Sequence, residues 1–264
     1  MTDNAPGEED KRPLLERQKG AWPQHELLAS YLRDGILSGD YPPGSALPST
    51  RILKQKFGVA PQTIKNANDQ LAEEGLVLSH KGKGIIVRDH RVRTMVPAAY
   101  KEPAAPGESY RWISEAEKRG LAAQSTLLAV EEVAPPADVA ASLGLPKGGV
   151  AVMRAQILSL DGEPAELVKS YYPVELARGT AISEQRRIKG GTPRLLADMG
   201  YPPVRCVDTV SARIPTPEEV VALNAPTKLP VLRTLRVVHS ANDRVIEVTV
   251  MAKAGHLYEL RYEF

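Results

Sequence analysis

Two spacings of apolar residues divide the chain. Between residues 21 and 88 they recur three and four positions apart, and beyond residue 109 they fall into runs with the alternation of β-strands. In the first stretch, Leu27, Leu28, Tyr31, Leu32 and Ile36 or Leu37 predict an amphipathic helix ending at Gly39. Tyr41-Pro42-Pro43-Gly44 is a turn, because paired prolines before glycine cannot continue a helix. Ser49 stands as N-cap to a short helix over Arg51 to Phe57, stopped at Gly58. Val59-Ala60-Pro61 opens a third helix, with Pro61 tolerated in its first turn, and Ile64, Ala67 and Leu71 form its buried stripe up to Gly75. Leu76-Val77-Leu78 and Ile85-Ile86-Val87 flank a glycine-rich turn and predict a β-hairpin. Three helices followed by a two-stranded wing make a winged helix-turn-helix.

The second stretch predicts strands over residues 125–133, 150–160, 165–172, 204–214, 231–240, 245–252 and 258–264. Helices are predicted over 137–143, 193–199 and 217–223. Short turns such as Asp161-Gly162-Glu163-Pro164 and Asn242-Asp243 join several strands, so the expected class is α+β around an antiparallel sheet. A faint repeat runs through it. ADVAASLGLP, a strand, LDGEPAE and a strand return about 80 residues later as PEEVVALNAP, a strand, ANDRVIE and a strand. Pro146 then falls on Pro226 and Glu166 near Glu247, which predicts a pseudo-twofold sheet with a cleft between its halves. Four segments result: a polar tail over 1–20, the winged helix over 21–88, a proline- and alanine-rich linker over 89–108, and the sheet domain over 109–264.

Composition narrows the function. A chain of 264 residues is comfortable for two domains. No apolar run approaches the ~20 residues needed to span a bilayer, and the N-terminus lacks a signal-peptide layout. Cys206 is the one cysteine, which excludes an intrachain disulfide and a cysteine-based metal cluster. The expectation is a cytoplasmic protein with no membrane partner, no metal and no cofactor. The five histidines show no metal-ligand spacing, and neither a P-loop nor a GxSxG motif occurs, so catalysis is not expected. A net charge of +2 does not by itself favour nucleic acid, so a DNA-binding surface must come from local clustering.

Such clustering is present. Opposite the buried stripe, the third helix offers Gln62, Thr63, Lys65, Asn66 and Asp69. Glutamine and asparagine can read adenine, and lysine can read guanine or hold a phosphate. Arg51, Lys54 and Lys56 on the second helix would lie near the DNA backbone, and His80, Lys81 and Lys83 at the wing tip suit a minor groove or phosphates. Between Arg51 and Lys83 the acids are Asp69, Glu73 and Glu74, toward the far end of the third helix.

The stretch GDYPPGSALPSTRILKQKFGVAPQTIKNANDQLAEEGLVLSHKGKGIIV resembles the DNA-binding domain of the GntR family of bacterial regulators. The matching pieces are Leu47-Pro48-Ser49 before Arg51, Gly58-Val59, Thr63-Ile64, Leu71, Glu74-Gly75-Leu76 and Gly82-x-Gly84. The resemblance implies double-stranded operator DNA as partner, with DNA contacts from Arg51, Thr63, Lys65, Lys81 and Lys83. Thr50 stands where many relatives have glutamate, and Ala60-Pro61 where many have Ser-Arg, which removes a helix cap and an arginine that often touches DNA.

In the sheet domain, Arg154 and Gln156 share a strand face with Val152 and Leu158, Ser170 with Glu166 and Val168, and Glu247 with Thr249 and Met251. A charge on such a face must be paired, solvated or awaiting a ligand; an Arg154–Glu pair closing the core is the alternative to ligand contact. SLDGEPAELVKSYYPVELARG and DTVSARIPTPEEVVALNAP resemble the HutC subfamily effector domain, called UTRA, whose fold is similar to chorismate lyase. That resemblance implies a homodimer, repression, and a small-molecule effector lined by Arg154, Gln156, Ser170 and Glu247. Gln156 and Lys253, where relatives often carry arginine and tyrosine, count against a sugar phosphate. A regulator without a small-molecule effector, controlled by a protein partner or by its own concentration, is the alternative reading.

Overall fold

The computed structural model describes residues 22–88, 93–95, 103–255 and 258–261, in two compact units divided near residue 90. The tail over 1–20 and most of the linker lie outside the described residues.

In the first unit, helix α1 (Gln24–Leu37) buries Leu28, Ala29, Leu32 and Gly35. Ile36 packs against the core, whereas Leu37 points to solvent. Gly35 is required by packing: a Cβ there would stand 2.6 Å from the Tyr41 ring. Helix α2 (Thr50–Phe57) starts where the Ser49 hydroxyl accepts the Ile52 N–H and stops at Gly58, left-handed at φ 66°. Helix α3 (Pro61–Glu73) starts on Ala60 with no side-chain cap, as the departure at this position predicts. Leu53, Phe57, Ile64, Ala67 and Leu71 join the α1 residues in one core. Strands β1 (Val77–His80) and β2 (Gly84–Val87) form the wing. The segment after the proline turn runs along β2: the Gly44 and Leu47 N–H groups donate to the Val87 and Ile85 carbonyls, at 2.9 and 2.8 Å. The local turn signal carried no hint of this third wing partner, because it depends on a partner 40 residues away in sequence.

The second unit is built on strands β4 (Ala123–Val133), β5 (Ala151–Leu160), β6 (Glu163–Pro173), β7 (Arg205–Arg213), β8 (Val231–His239) and β9 (Val245–Ala254). They form an antiparallel sheet in the order β4-β5-β6-β9-β8-β7. With helices α5 (Ala137–Leu143) and α8 (Pro217–Leu223), each half reads strand, helix, hairpin, and the order is a palindrome about β6 and β9. The repeat in the sequence is therefore a pseudo-twofold in the sheet.

The hairpins sharpen the equivalence. Leu158 pairs with Glu166 and Ser159 with Pro164, which leaves Ala165 as a bulge. Val238 pairs with Glu247 and His239 with Val245, which leaves Ile246 as a bulge. Glu166 and Glu247 thus occupy the same place in the two halves.

One sheet face buries Leu167, Tyr171, Val248 and Ala252 against Val139 of α5 and Leu223 of α8. The other is covered by helix α4 (Arg111–Glu117), the short helix α6 (Val174–Ala177) and helix α7 (Gly191–Asp198), through clusters centred on Trp112, Leu158 and Val168 and on Tyr172, Leu176 and Leu196. The final strand is a correction. Strand β10 (Tyr258–Leu260) lies outside the large sheet and pairs in parallel with β3 (Arg93–Met95), a segment read from the sequence as linker.

Candidate DNA interface and sheet pocket

The winged helix presents the residues expected of a DNA interface. Ile64, Ala67 and Leu71 turn inward, leaving Gln62, Lys65 and Asn66 exposed and Thr63 half-buried on the outer side of α3. Three of these are already partnered. The Gln62 amide donates to Asn66 Oδ1 at 2.8 Å, and Lys65 Nζ donates to Asp69 Oδ2 at 2.6 Å. Both contacts are exposed i,i+4 pairs, worth only about 0.2–0.5 kcal/mol, so DNA can displace them.

Arg51, Lys54 and Lys56 are exposed on α2. The Lys56 ammonium hydrogen-bonds the Tyr31 hydroxyl at 2.5 Å and lies 4.7 Å from the Tyr31 ring centroid, an exposed contact that leaves the residue on the outer surface of α2. Ser49 serves as a helix cap, leaving its side chain exposed for a further contact. At the wing tip His80, Lys81 and Lys83 are exposed, and Gly82 and Gly84 hold φ near +83° and +84°, a backbone that side chains resist. Of the nearby acids, Glu74 is buried and bound bidentately by Arg33 Nε and Nη2 at 2.7 and 2.5 Å. Its charge is compensated locally, which leaves the start of α3 and the wing positive.

In the second unit the sheet face under α4 and α7 holds a pocket lined by Arg154, Gln156, Ser170 and Glu247, the four positions expected from the sequence. They do different work. Among the described residues Arg154 forms no pair with a glutamate, contrary to the core-closing alternative. Its guanidinium donates to the carbonyls of Ile182, Glu184 and Arg186 at 2.8, 2.9 and 2.7 Å, and to Ala181 at 3.3 Å. This side chain, 7% exposed, therefore fixes the loop that walls the pocket. Burial lowers its pKa, and the carbonyl oxygens compensate its charge. Gln156 Oε1 accepts the Ser125 hydroxyl at 3.0 Å. Ser170 and Thr249 both donate to Glu247 Oε1, at 2.9 and 2.5 Å, and their hydroxyls lie 2.8 Å apart.

The partners of Lys253 and Glu166, and the pocket residues Trp112, Asp208 and Arg236, escaped the sequence reading. Lys253 Nζ is buried 3.5 Å from Glu166 Oε2 and 3.4 Å from the Thr234 hydroxyl. Burial lowers the lysine's pKa, opposed by the Glu166 charge. Trp112 Nε1 donates to the other Glu166 oxygen at 3.1 Å. Arg236 binds both Asp208 oxygens at 2.7 Å; burial works against its charge, but the carboxylate outweighs this and raises the pKa. The alternation along β7 and β8 puts Asp208 and Arg236 in register, and that signal could have been read. Trp112 sits on a seven-residue helix too short for its period to show. The Tyr172 hydroxyl, beside Ser170 and Thr192, makes no hydrogen bond of ordinary geometry; burial, then the Glu247 charge, raises its pKa.

Among the described residues no helix is long and apolar enough to cross a membrane, and no cluster of side chains could hold a metal ion.

Comparison with known proteins agrees with this division. Residues 25–87 match the gntR family of bacterial regulatory proteins, and residues 118–259 match the UTRA domain. An uncharacterized HTH-type transcriptional regulator of Streptomyces coelicolor is 28% identical, covering 92% of this chain and 93% of its own. The HTH-type transcriptional regulator GgaR of Escherichia coli is 26% identical over 89% of each chain. The HTH-type transcriptional repressor PhnF of Mycolicibacterium smegmatis is 24% identical over 85% of each. A crystal structure of PhnF superposes with a TM-score of 0.55 at 20% identity, covering 90% of this chain and 98% of that one, which shows a shared fold. The family and these relatives are regulators of transcription, not enzymes. The chain belongs to the GntR family of bacterial regulatory proteins, as a transcriptional regulator with an N-terminal helix-turn-helix and a C-terminal UTRA domain.

Proposed function

We propose that the protein binds an inverted-repeat operator as a homodimer and represses transcription until a small molecule enters the sheet pocket. The observation that carries this reading is the pocket itself: a partly open cavity bearing Glu166, Glu247, Asp208, Arg236 and Lys253, on the chain that also presents the outer face of α3 and a cationic wing. Glu166 and Lys253 are buried and the other three half-buried; such groups are costly to keep out of water, and a cavity that gathers them suits recognition of a polar ligand. A twofold dimer matches a twofold operator, with recognition helices about one helical turn apart. The name of PhnF as a repressor supports repression here. Release requires that the ligand favour a dimer geometry in which the two α3 helices no longer match the half-sites.

The test is fluorescence anisotropy of a duplex from upstream of the protein's own coding region, titrated with protein and then with small-molecule fractions of a cell extract. The expected result is tight binding relieved by at least one fraction. Binding that no fraction alters would contradict the effector role and favour control by a protein partner.

A further inference from the structure

We propose that the pocket takes a small molecule bearing a protonated amine, seated on the Glu247, Ser170 and Thr249 oxygens, because, among the described residues, Glu247 lacks the ammonium that its twofold counterpart Glu166 has. This rests on reading the pocket as an effector site and adds the charge of its ligand.

The molecule contains its own template. The β6–β9 ladder is centred on the Lys169–Val250 pair, with Glu166 opposite Lys253 three pairs to one side. Three pairs to the other side, after Ser170–Thr249 and Tyr171–Val248, come Tyr172 and Glu247. The two glutamates are equivalent, as their matching bulges show, so Tyr172 stands where Lys253 stands in the other half. One half supplies a carboxylate with an ammonium; the other supplies a carboxylate with a phenol.

The hydrogen bonds around Glu247 are short of donors. Glu247 Oε1, Ser170 Oγ and Thr249 Oγ1 form a triangle with edges of 2.9, 2.8 and 2.5 Å. Two hydroxyl protons cannot serve three oxygen–oxygen contacts when the carboxylate is ionised, so one edge lacks a hydrogen. Among the described residues, no basic side chain forms an ion pair with Glu247. An incoming ammonium would bring three donors and a compensating charge to this nest of oxygens.

The pocket's cations are differently placed. Arg236 is held bidentately by Asp208, Lys253 faces Glu166, and Arg154 is engaged by main-chain carbonyls. An anion would have to displace one of these partners. Arg187 also lines the pocket, but on an exposed side chain that water can serve.

Three probes of one shape separate charge from fit: benzylamine, benzyl alcohol and benzoate, titrated against the full-length protein and its Glu247→Gln variant by ligand-observed NMR. The variant keeps the shape and the hydroxyl contacts, and circular dichroism confirms that it folds. The wild type should prefer benzylamine over benzyl alcohol roughly tenfold, as a charge-assisted hydrogen bond allows. In Glu247→Gln that preference should fall to about twofold or less. Preference for benzoate, indifference to charge, or an amine preference that survives the substitution would overturn the proposal while leaving a small-molecule pocket in place. Failure of all three to bind would count against both the amine and the effector site.

Discussion

Lys65 shows how a residue can be legible in type and hidden in state. Its place on the outer face of α3 follows from the spacing of Ile64, Ala67 and Leu71, but its contact with Asp69 follows only from rotamers. Lys65→Ala should weaken operator binding by roughly 1–3 kcal/mol and relax specificity at one base pair, if the lysine reads that base. Asp69→Asn should do the reverse at low salt, by removing a negative charge and freeing the lysine; anisotropy titrations of both variants check the pair. Gly35 carries a stability prediction. Alanine improves helix propensity by about 1 kcal/mol, yet its Cβ would meet the Tyr41 ring at 2.6 Å. Overpacking of this kind costs roughly 1–3 kcal/mol, so Gly35→Ala should lower the midpoint of denaturant unfolding. At the buried pair, Lys253→Met leaves the Glu166 carboxylate without its cation and should destabilise by about 3 kcal/mol, most of it restored by adding Glu166→Gln.

Elements with a strong period were readable, and those held by distant partners were not. Helices α5 and α8 match the sequence reading residue for residue, because α5 follows Pro136 and α8 opens on Pro217, and they end at left-handed Gly144 and Asn224. The hairpin turn Asp161-Gly162 announced itself by residue type, and both residues take positive φ, as a two-residue turn between twisted strands requires. By contrast, helix α4 spans two turns and gains its stability from Trp112 packing over the sheet, which no local pattern encodes. The β3–β10 pair joins segments more than 160 residues apart, so its short strands are defined only by each other. The site divides likewise. Alternation puts Arg154 and Gln156 on one strand face, and the resemblance to the UTRA domain implies a pocket for them with Ser170 and Glu247, whereas the binding of Arg154 to the 181–186 loop depends on an irregular segment with no period. Arg154→Met should therefore leave the sheet intact but reduce hydrogen-exchange protection across that loop, while a uniform loss of protection would show a general role in stability. For the wing, Lys81→Ala and Lys83→Ala should weaken binding to all duplexes and each flatten the slope of log affinity against log salt by about one.

Across the whole molecule, a near-neutral chain concentrates positive charge on one face of a small unit and buries a set of paired charges in a larger one. The faint sequence repeat became a palindromic sheet because strand, helix and hairpin recur with the same bulge, and that symmetry exposes where the halves differ. The central claim is that the protein reads a twofold operator. Selection of DNA fragments retained by the purified protein from a random-sequence pool, followed by sequencing, tests it most directly. The account predicts an enriched inverted repeat whose half-site centres lie about one helical turn apart, or a multiple of it, bound at least a thousandfold more tightly than scrambled duplex. Retention of all sequences alike, or enrichment of a single unpaired half-site, would contradict it.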